Sequence, residues 1–410
     1  MFTSVDVTTL SNRTNCSSLS PAIPSSGDLD VRITAAMLDT GLRGVPVGTC
    51  TTSFITPEQG LHYRGYPIAD LVNHTPEQLM HLVFMGSLGS PSEVDGFSQV
   101  LANRAGLSAT VKMQISNLPR HIHPMSAFAA AIRFCQWEYP TGDYHKDALN
   151  LLAKAPELAA TVIRRHKGCE PLSNAEAENR SMGYVERFCE LLVGSEACTT
   201  QFVEAVKIFH KLHYDHGGGN LSMFVAKAVA SGHSDLYGSV IAGMEALAGP
   251  LHGRANQEGL TFVQDILEKL GAAATPKQVR EEVQRRFDNK EKIVGFGHAV
   301  LRCEDPRASI LYDYAANHFP ENPLVKMALM LRTEAPKVVC KKASNPYANV
   351  DAISGTVLAA AGFSHAEYFT ILFGLSRLVG MTRQIVYERC EARDGKGVPI
   401  YRPKYVYKEG

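Results

Sequence analysis

The sequence predicts a mostly α-helical protein. Three observations carry that expectation. Capping residues repeatedly precede apolar runs of helical period. Strand signals are sparse. No glycine-rich nucleotide fingerprint follows a strand. At 410 residues, 45% of them hydrophobic, the chain suits two or three domains, or one large domain with a smaller lobe.

Taken in order, the first segment, residues 1–30, is rich in Ser and Thr and holds one arginine, Arg13, with three Asp. It reads as a disordered arm, since a mitochondrial leader would be Arg-rich and poor in acids. Thr49-Cys-Thr-Thr-Ser-Phe-Ile55, followed by GLHYRGY, predicts a small β-hairpin. HTPEQLMHLVFMG predicts a helix with Thr75 as N-cap, Pro76 at the first helical position and Gln78 closing a capping box. TPKQVREEVQRRF repeats the device with Thr275, Pro276 and Gln278. In SHAEYFTILFGLSRLVGMTRQIVYERC, Ser364 and Glu367 predict a capping box. Tyr368, Ile371, Leu372, Leu375, Leu378, Val379 and Ile385 then recur at helical spacing over about 25 residues.

Composition excludes several classes. Lys+Arg and Asp+Glu balance at 41 each, so no basic excess points to nucleic acid or a membrane surface. No apolar run is long enough to span a bilayer. Nine scattered cysteines without a C-x-x-C pair argue against zinc ribbons and fit a reducing compartment, the cytosol or the mitochondrial matrix. The closing YKEG is not a peroxisomal address.

Chemistry concentrates in loops. HYDHGGGN holds His213 and His216. Its H-G-G-G run also occurs as an oxyanion loop in α/β-hydrolases, but that needs a G-x-S-x-G elbow and alternating strands, which are missing. The plain alternative is a helix end with Gly stops. GPLHGRANQEG places His252 at a helix break. VGFGHAVLRCEDPR places His298 after Gly295 and Gly297, with Arg302 and Arg307 close behind. Two fixed cations beside a histidine suggest recognition of carboxylate or phosphate; the alternative is surface arginines paired with Glu304 and Asp305. SNPYANVDAISG places Asp351 as an N-cap or a general base. GLSRLVG puts Arg377 off the apolar stripe, where the plain reading is a solvated side chain. VPIYRPKY holds Arg402 in a loop.

These segments, in this order and at these intervals, resemble citrate synthase from about residue 35 to the end, as do GLRGVPVG and YRGYPIADL. The resemblance implies an all-α fold with large and small helical domains: the large at 31–252 and 358–410, the small at 253–357, closing over the site. It implies a homodimer, the substrates oxaloacetate and an acyl-CoA, and no metal or cofactor. It makes His252 the donor to the thioester oxygen, Asp351 the base and His298 the group beside the ketone. His216, Arg307 and Arg377 would hold oxaloacetate, with Arg402 supplied by the neighbouring subunit. Arg302 and Lys342 would contact CoA phosphates.

The surroundings depart from the animal mitochondrial pattern. Asp351 is followed by Ala352-Ile353-Ser354-Gly355 where that pattern has Ala-His-Ser-Gly. A bulky segment with two aromatics becomes Leu358-Ala-Ala-Ala-Gly362. Gly217 replaces a Glu, and Ser344 a lysine. Ile353, Ala360, Ala361 and Phe373 are therefore expected to line an enlarged acyl pocket. That points to an alkylcitrate synthase of specialised metabolism, with acetyl-CoA citrate synthase as the alternative. A noncatalytic helical scaffold is the alternative of another class; His252, His298 and Asp351 together argue against it.

Overall fold

The computed structural model describes residues 32–41, 44–172, 182–217, 219–298, 300–341 and 344–407. The arm expected at 1–30 and Lys342 lie outside them. The first elements are α1 (Ala35–Leu38), β1 (Ser53–Thr56), β2 (Gly60–Tyr63), β3 (Tyr66–Pro67), α2 (Ile68–Leu71), α3 (Pro76–Met85), α4 (Pro91–Arg104), α5 (Ala109–Ser116) and α6 (Pro124–Glu138). There follow α7 (Tyr144–Lys167), α8 (Tyr184–Val193), α9 (Thr200–His213), α10 (Leu221–Ser231), α11 (Leu236–Leu247) and α12 (Ala255–Leu270). The last are α13 (Pro276–Asp288), α14 (Pro306–His318), α15 (Pro323–Glu334), α16 (Pro336–Val339), α17 (Ser354–Ala360) and α18 (Phe369–Val386).

The expected hairpin starts later than Thr49 and is joined by a third strand. β1 pairs antiparallel with β2, Ser53 opposite Tyr63, and β2 with β3. The helix starts at α3 and α13 form as expected: Thr75 and Thr275 each make a full capping box. Their signals are local, so sequence suffices.

The box expected at Ser364 and Glu367 does not form. Beyond the end of α17 at Ala360, Gly362 takes φ +100 and Phe363 N–H donates to Leu358 O at 2.8 Å. The few residues left must turn the chain, and Ala366–Tyr368 is a 3-10 turn. α18 then starts at Phe369 without a side-chain cap and runs into a π turn at Tyr387–Glu391. It is buried nearly all round rather than along one stripe, because α3, α6, α7, α9, α10 and α11 all pack on it. Arg377 is consequently 1% exposed, which overturns its plain reading as a solvated side chain.

Among the helices of residues 253–357, α12 packs on α13, α15 and α17, and α13 on α15 and α16. α14 also touches α2 and β2, and α17 touches α9. No described helix is long and apolar enough to cross a membrane.

Candidate active site

The segment after α9 is clamped by one face of α18. Arg377 Nε donates to His213 O at 3.2 Å, Gly380 N to Tyr214 O at 3.0 Å, and Gln384 Nε2 to the Asp215 carboxylate at 2.9 and 3.1 Å. Spacings of three and four residues put these donors on one side of the helix. A Cβ at position 380 would lie 2.4 Å from Asp215 Oδ1, so only glycine admits this approach. Asp215 also accepts from Ser53 Oγ at 2.8 Å and from Thr52. The clamp fixes His216, a half-buried imidazole. Burial, with Arg307, Arg377 and His298 nearby, holds its pKa well below the usual value.

His252 lies between α11 and α12. Gly253 N–H donates to Leu247 O at 3.0 Å, and a side chain at 253 would strike that oxygen. The Ser222 backbone N–H donates to His252 Nε2 at 3.2 Å. An amide only donates, so Nε2 accepts and the ring proton sits on Nδ1. Burial, then the Arg377 charge, lowers its pKa to about 4. At neutral pH this imidazole is an uncharged N–H donor with a fixed tautomer.

His298 is oriented the other way. Its Nδ1 accepts from Val300 N and Leu301 N, both at 3.0 Å, which leaves the proton on Nε2. Its loop is stitched to the Asp351 loop. Asn349 N donates to Gly295 O at 2.9 Å, Gly297 N to Tyr347 O at 3.0 Å, and Asn349 Nδ2 to Gly297 O at 3.0 Å. Gly295 has φ +83, and a Cβ there would sit 2.5 Å from Ala352 Cα. Gly295 thus serves the contact between the two loops that carry His298 and Asp351.

Asp351 sits in the 3-10 turn Val350–Ala352, where Asn349 Oδ1 accepts from its N–H at 3.0 Å. It is not the cap itself. α12 presses on its backbone, since a Cβ on Gly259 would lie 2.1 Å from Asp351 O. Burial raises its pKa to about 6, against the lowering by Arg307.

Arg307 is 5% exposed. Its Nε donates to Asp305 Oδ1 at 3.1 Å and its Nη2 to Oδ2 at 2.7 Å. The pairing with Asp305 weighed from sequence is real but buried; Glu304 instead takes Arg332. The charge of Arg307 still acts on His216, His298 and Asp351. His216, His252, His298, Asp351, Arg307 and Arg377 therefore form one electrostatically linked set.

The other expected residues are placed as follows. Arg302 is exposed beside His298, with Nη1 donating to Val300 O at 3.0 Å and Leu301 O at 2.9 Å. Arg402 is exposed in the extended tail. Ile353 is 0% and Ala361 9% exposed, both packed in the core, while Ala360 and Phe373 are half-buried. The Phe373 ring lies 4.8 Å from the Arg377 guanidinium. Sequence reasoning missed Ser222 and Ser53, which carry no local signal. It also missed Asp215, flagged only by lying between two histidines. Among the described residues no His/Cys/Asp/Glu group could hold a metal.

Residues 41–404 match the family model described as citrate synthase, C-terminal domain. The mitochondrial citrate synthase of Xiphias gladius is 33% identical over 407 residues, covering 92% of this chain and 84% of that protein. That of Citrus maxima is 33% identical over 405 residues, covering 91% and 83%. The solved citrate synthase of Thermotoga maritima superposes with TM-score 0.76 at 27% identity, over 91% of this chain and 96% of that one. A ternary complex of carboxymethyl coenzyme A and oxaloacetate with citrate synthase of Thermoplasma acidophilum gives 0.77 at 24% identity, over the same shares, a likeness of fold. The match spans the linked residues and nearly the whole chain, and the protein belongs to the citrate synthase family of transferase-type enzymes.

Proposed function

We propose that the protein condenses oxaloacetate with an acyl-CoA and hydrolyses the resulting thioester, giving an alkylcitrate and CoA. The observation that carries this is the linked set: a buried Asp351 carboxylate raised to about 6 beside the charge of Arg307, and a neutral His252 imidazole of fixed tautomer, lowered to about 4, beside that of Arg377. A thioester α-proton is far less acidic than a carboxylic acid, so a carboxylate alone removes it slowly. Asp351 takes that proton while His252 Nδ1–H donates to the oxygen that gains enolate charge. A neutral donor suits this step because its proton affinity lies near that of the enolate.

The enol carbon then attacks the ketone carbon of oxaloacetate. His298 Nε2–H donates a hydrogen bond to the ketone oxygen as that oxygen gains negative charge, and water protonates the resulting alkoxide. His216, Arg307 and Arg377 hold the two carboxylates, and Arg402 of a second copy completes the grip in a homodimer. Arg302 takes the CoA phosphates, a role expected also of Lys342, which lies outside the described residues. Water cleaves the thioester last, with the acyl carbon leaving sulfur for oxygen. These roles need no metal or redox group. The segment 253–357 acts as the small domain and closes over the large one, excluding water. The described cysteines are unpaired, which fits a reducing intracellular compartment, and the Xiphias gladius and Citrus maxima relatives are named as mitochondrial.

For the acyl group, the reading is an alkyl chain longer than acetyl. The positions after the base, Val357 to Phe363, carry no polar side-chain atom, and Ala360 presents only a methyl group at a half-buried position. Ile353 is sealed, so it contributes apolar packing behind the base rather than an open wall. Each methylene buried there adds up to ~0.8 kcal/mol. Acetyl-CoA is the second reading, supported by the names of the relatives. The test is thiol release with oxaloacetate from acetyl-, propionyl-, hexanoyl- and decanoyl-CoA, for wild type and Ala360→Phe. The alkyl reading predicts higher kcat/KM for a longer chain and its selective loss in Ala360→Phe. Preference for acetyl, or equal loss on every acyl-CoA, refutes it.

A further inference from the structure

Two buried arginines of the site are held differently. Arg377 donates to a backbone carbonyl, whereas Arg307 is gripped by a carboxylate on two of its nitrogens. That carboxylate is itself fixed. Asp305 is the N-cap of α14, its Oδ1 accepting from Arg307 N at 3.0 Å, and Pro306 follows at the first helical position. The Asp305 N–H donates to Ala348 O at 3.1 Å, in the loop that carries Asp351. Both side chains of the pair are nearly sealed, at 6% and 1% exposure. The guanidinium therefore conforms to the carboxylate, not the reverse. Arg307 Nη1 donates to no acceptor among the described residues, and it is not sealed from solvent.

We propose that Asp305 is a positioning residue for oxaloacetate: it grips the Nε–Nη2 edge of Arg307 so that Nη1 is presented, already oriented, to a substrate carboxylate. The inference rests on the oxaloacetate reading above. A long side chain fixed before binding loses less entropy when the ligand arrives. Charge alone points the opposite way, because a buried carboxylate beside the site repels a dianion. The sign of the effect on binding therefore separates orientation from field.

The test uses Asp305→Asn and Asp305→Ser in the full chain. Both keep a side-chain oxygen to cap α14 and lose the two-point grip. Oxaloacetate affinity is read by calorimetry, without turnover, beside the Michaelis constants of both substrates and thermal melting. The expected result is oxaloacetate binding weakened about fivefold or more in both variants, with the acyl-CoA Michaelis constant within about twofold. Unchanged or tighter oxaloacetate binding overturns the proposal, since charge would then be the only role. A parallel rise of both constants with earlier melting also overturns it, in favour of general support of the fold. Wild type that binds no oxaloacetate removes the function reading itself, and this inference with it.

Discussion

In the proposed reaction Asp351 carries function at a cost in stability. Burial raises its pKa from 3.8 to about 6, and Arg307 only partly opposes this. Because the folded value lies above the unfolded one, ionising the carboxylate destabilises the fold as pH rises from ~4 through about 6. Two outcomes follow. The rate governed by the base rises through pH ~6 and levels above it, read from kcat/KM for the acyl-CoA. Asp351→Asn melts at higher temperature than wild type at pH ~7.5, and the gain disappears by pH ~4. A Tm difference that ignores pH would show that the carboxylate is not strained.

At the scale of elements, loops do the positioning and helices hold the loops. Gly295 is the contact point of the His298 and Asp351 loops, and a Cβ there meets Ala352 Cα at 2.5 Å. Gly295→Ala should separate Asp351 from His298, lowering turnover by about tenfold or more, since misplacement of the order of an ångström is enough for that. Turnover within twofold of wild type would mean that the contact is incidental. The glycines before His298 are visible in the sequence, but the partner of Gly295 is not: Ala352 lies far along the chain. The same division holds elsewhere. Thr75 and Thr275 cap their helices through residues three positions on, so sequence suffices. Ser222 fixes the His252 tautomer from 30 residues away, and Asp215 meets Gln384 across 169. Periodicity alone offered Arg377 a solvated alternative, because burial on all sides of α18 depends on neighbours that periodicity does not name.

At the scale of the whole molecule, the tail after Val398 is the unfinished surface. Ile400, Tyr405, Val406 and Tyr407 stand out at 50, 91, 66 and 85% exposure, around an exposed Arg402. Large apolar side chains in a row call for cover, which a second copy would supply in the proposed homodimer. Arg402→Ala should raise the Michaelis constant for oxaloacetate about tenfold while leaving thermal melting unchanged. Activity per subunit should also fall on dilution, read together with light scattering. An active monomer, or an Arg402→Ala enzyme with an unchanged constant, would remove the cross-subunit role.

The central claim is that Asp351 and His252 enolise a thioester for attack on oxaloacetate. It is tested most directly by thiol release from acyl-CoA, with and without oxaloacetate, in wild type and Asp351→Asn. Release should require oxaloacetate and fall about a thousandfold or more in the variant, with oxaloacetate binding retained. Release without oxaloacetate, or a variant as fast as wild type, would contradict it.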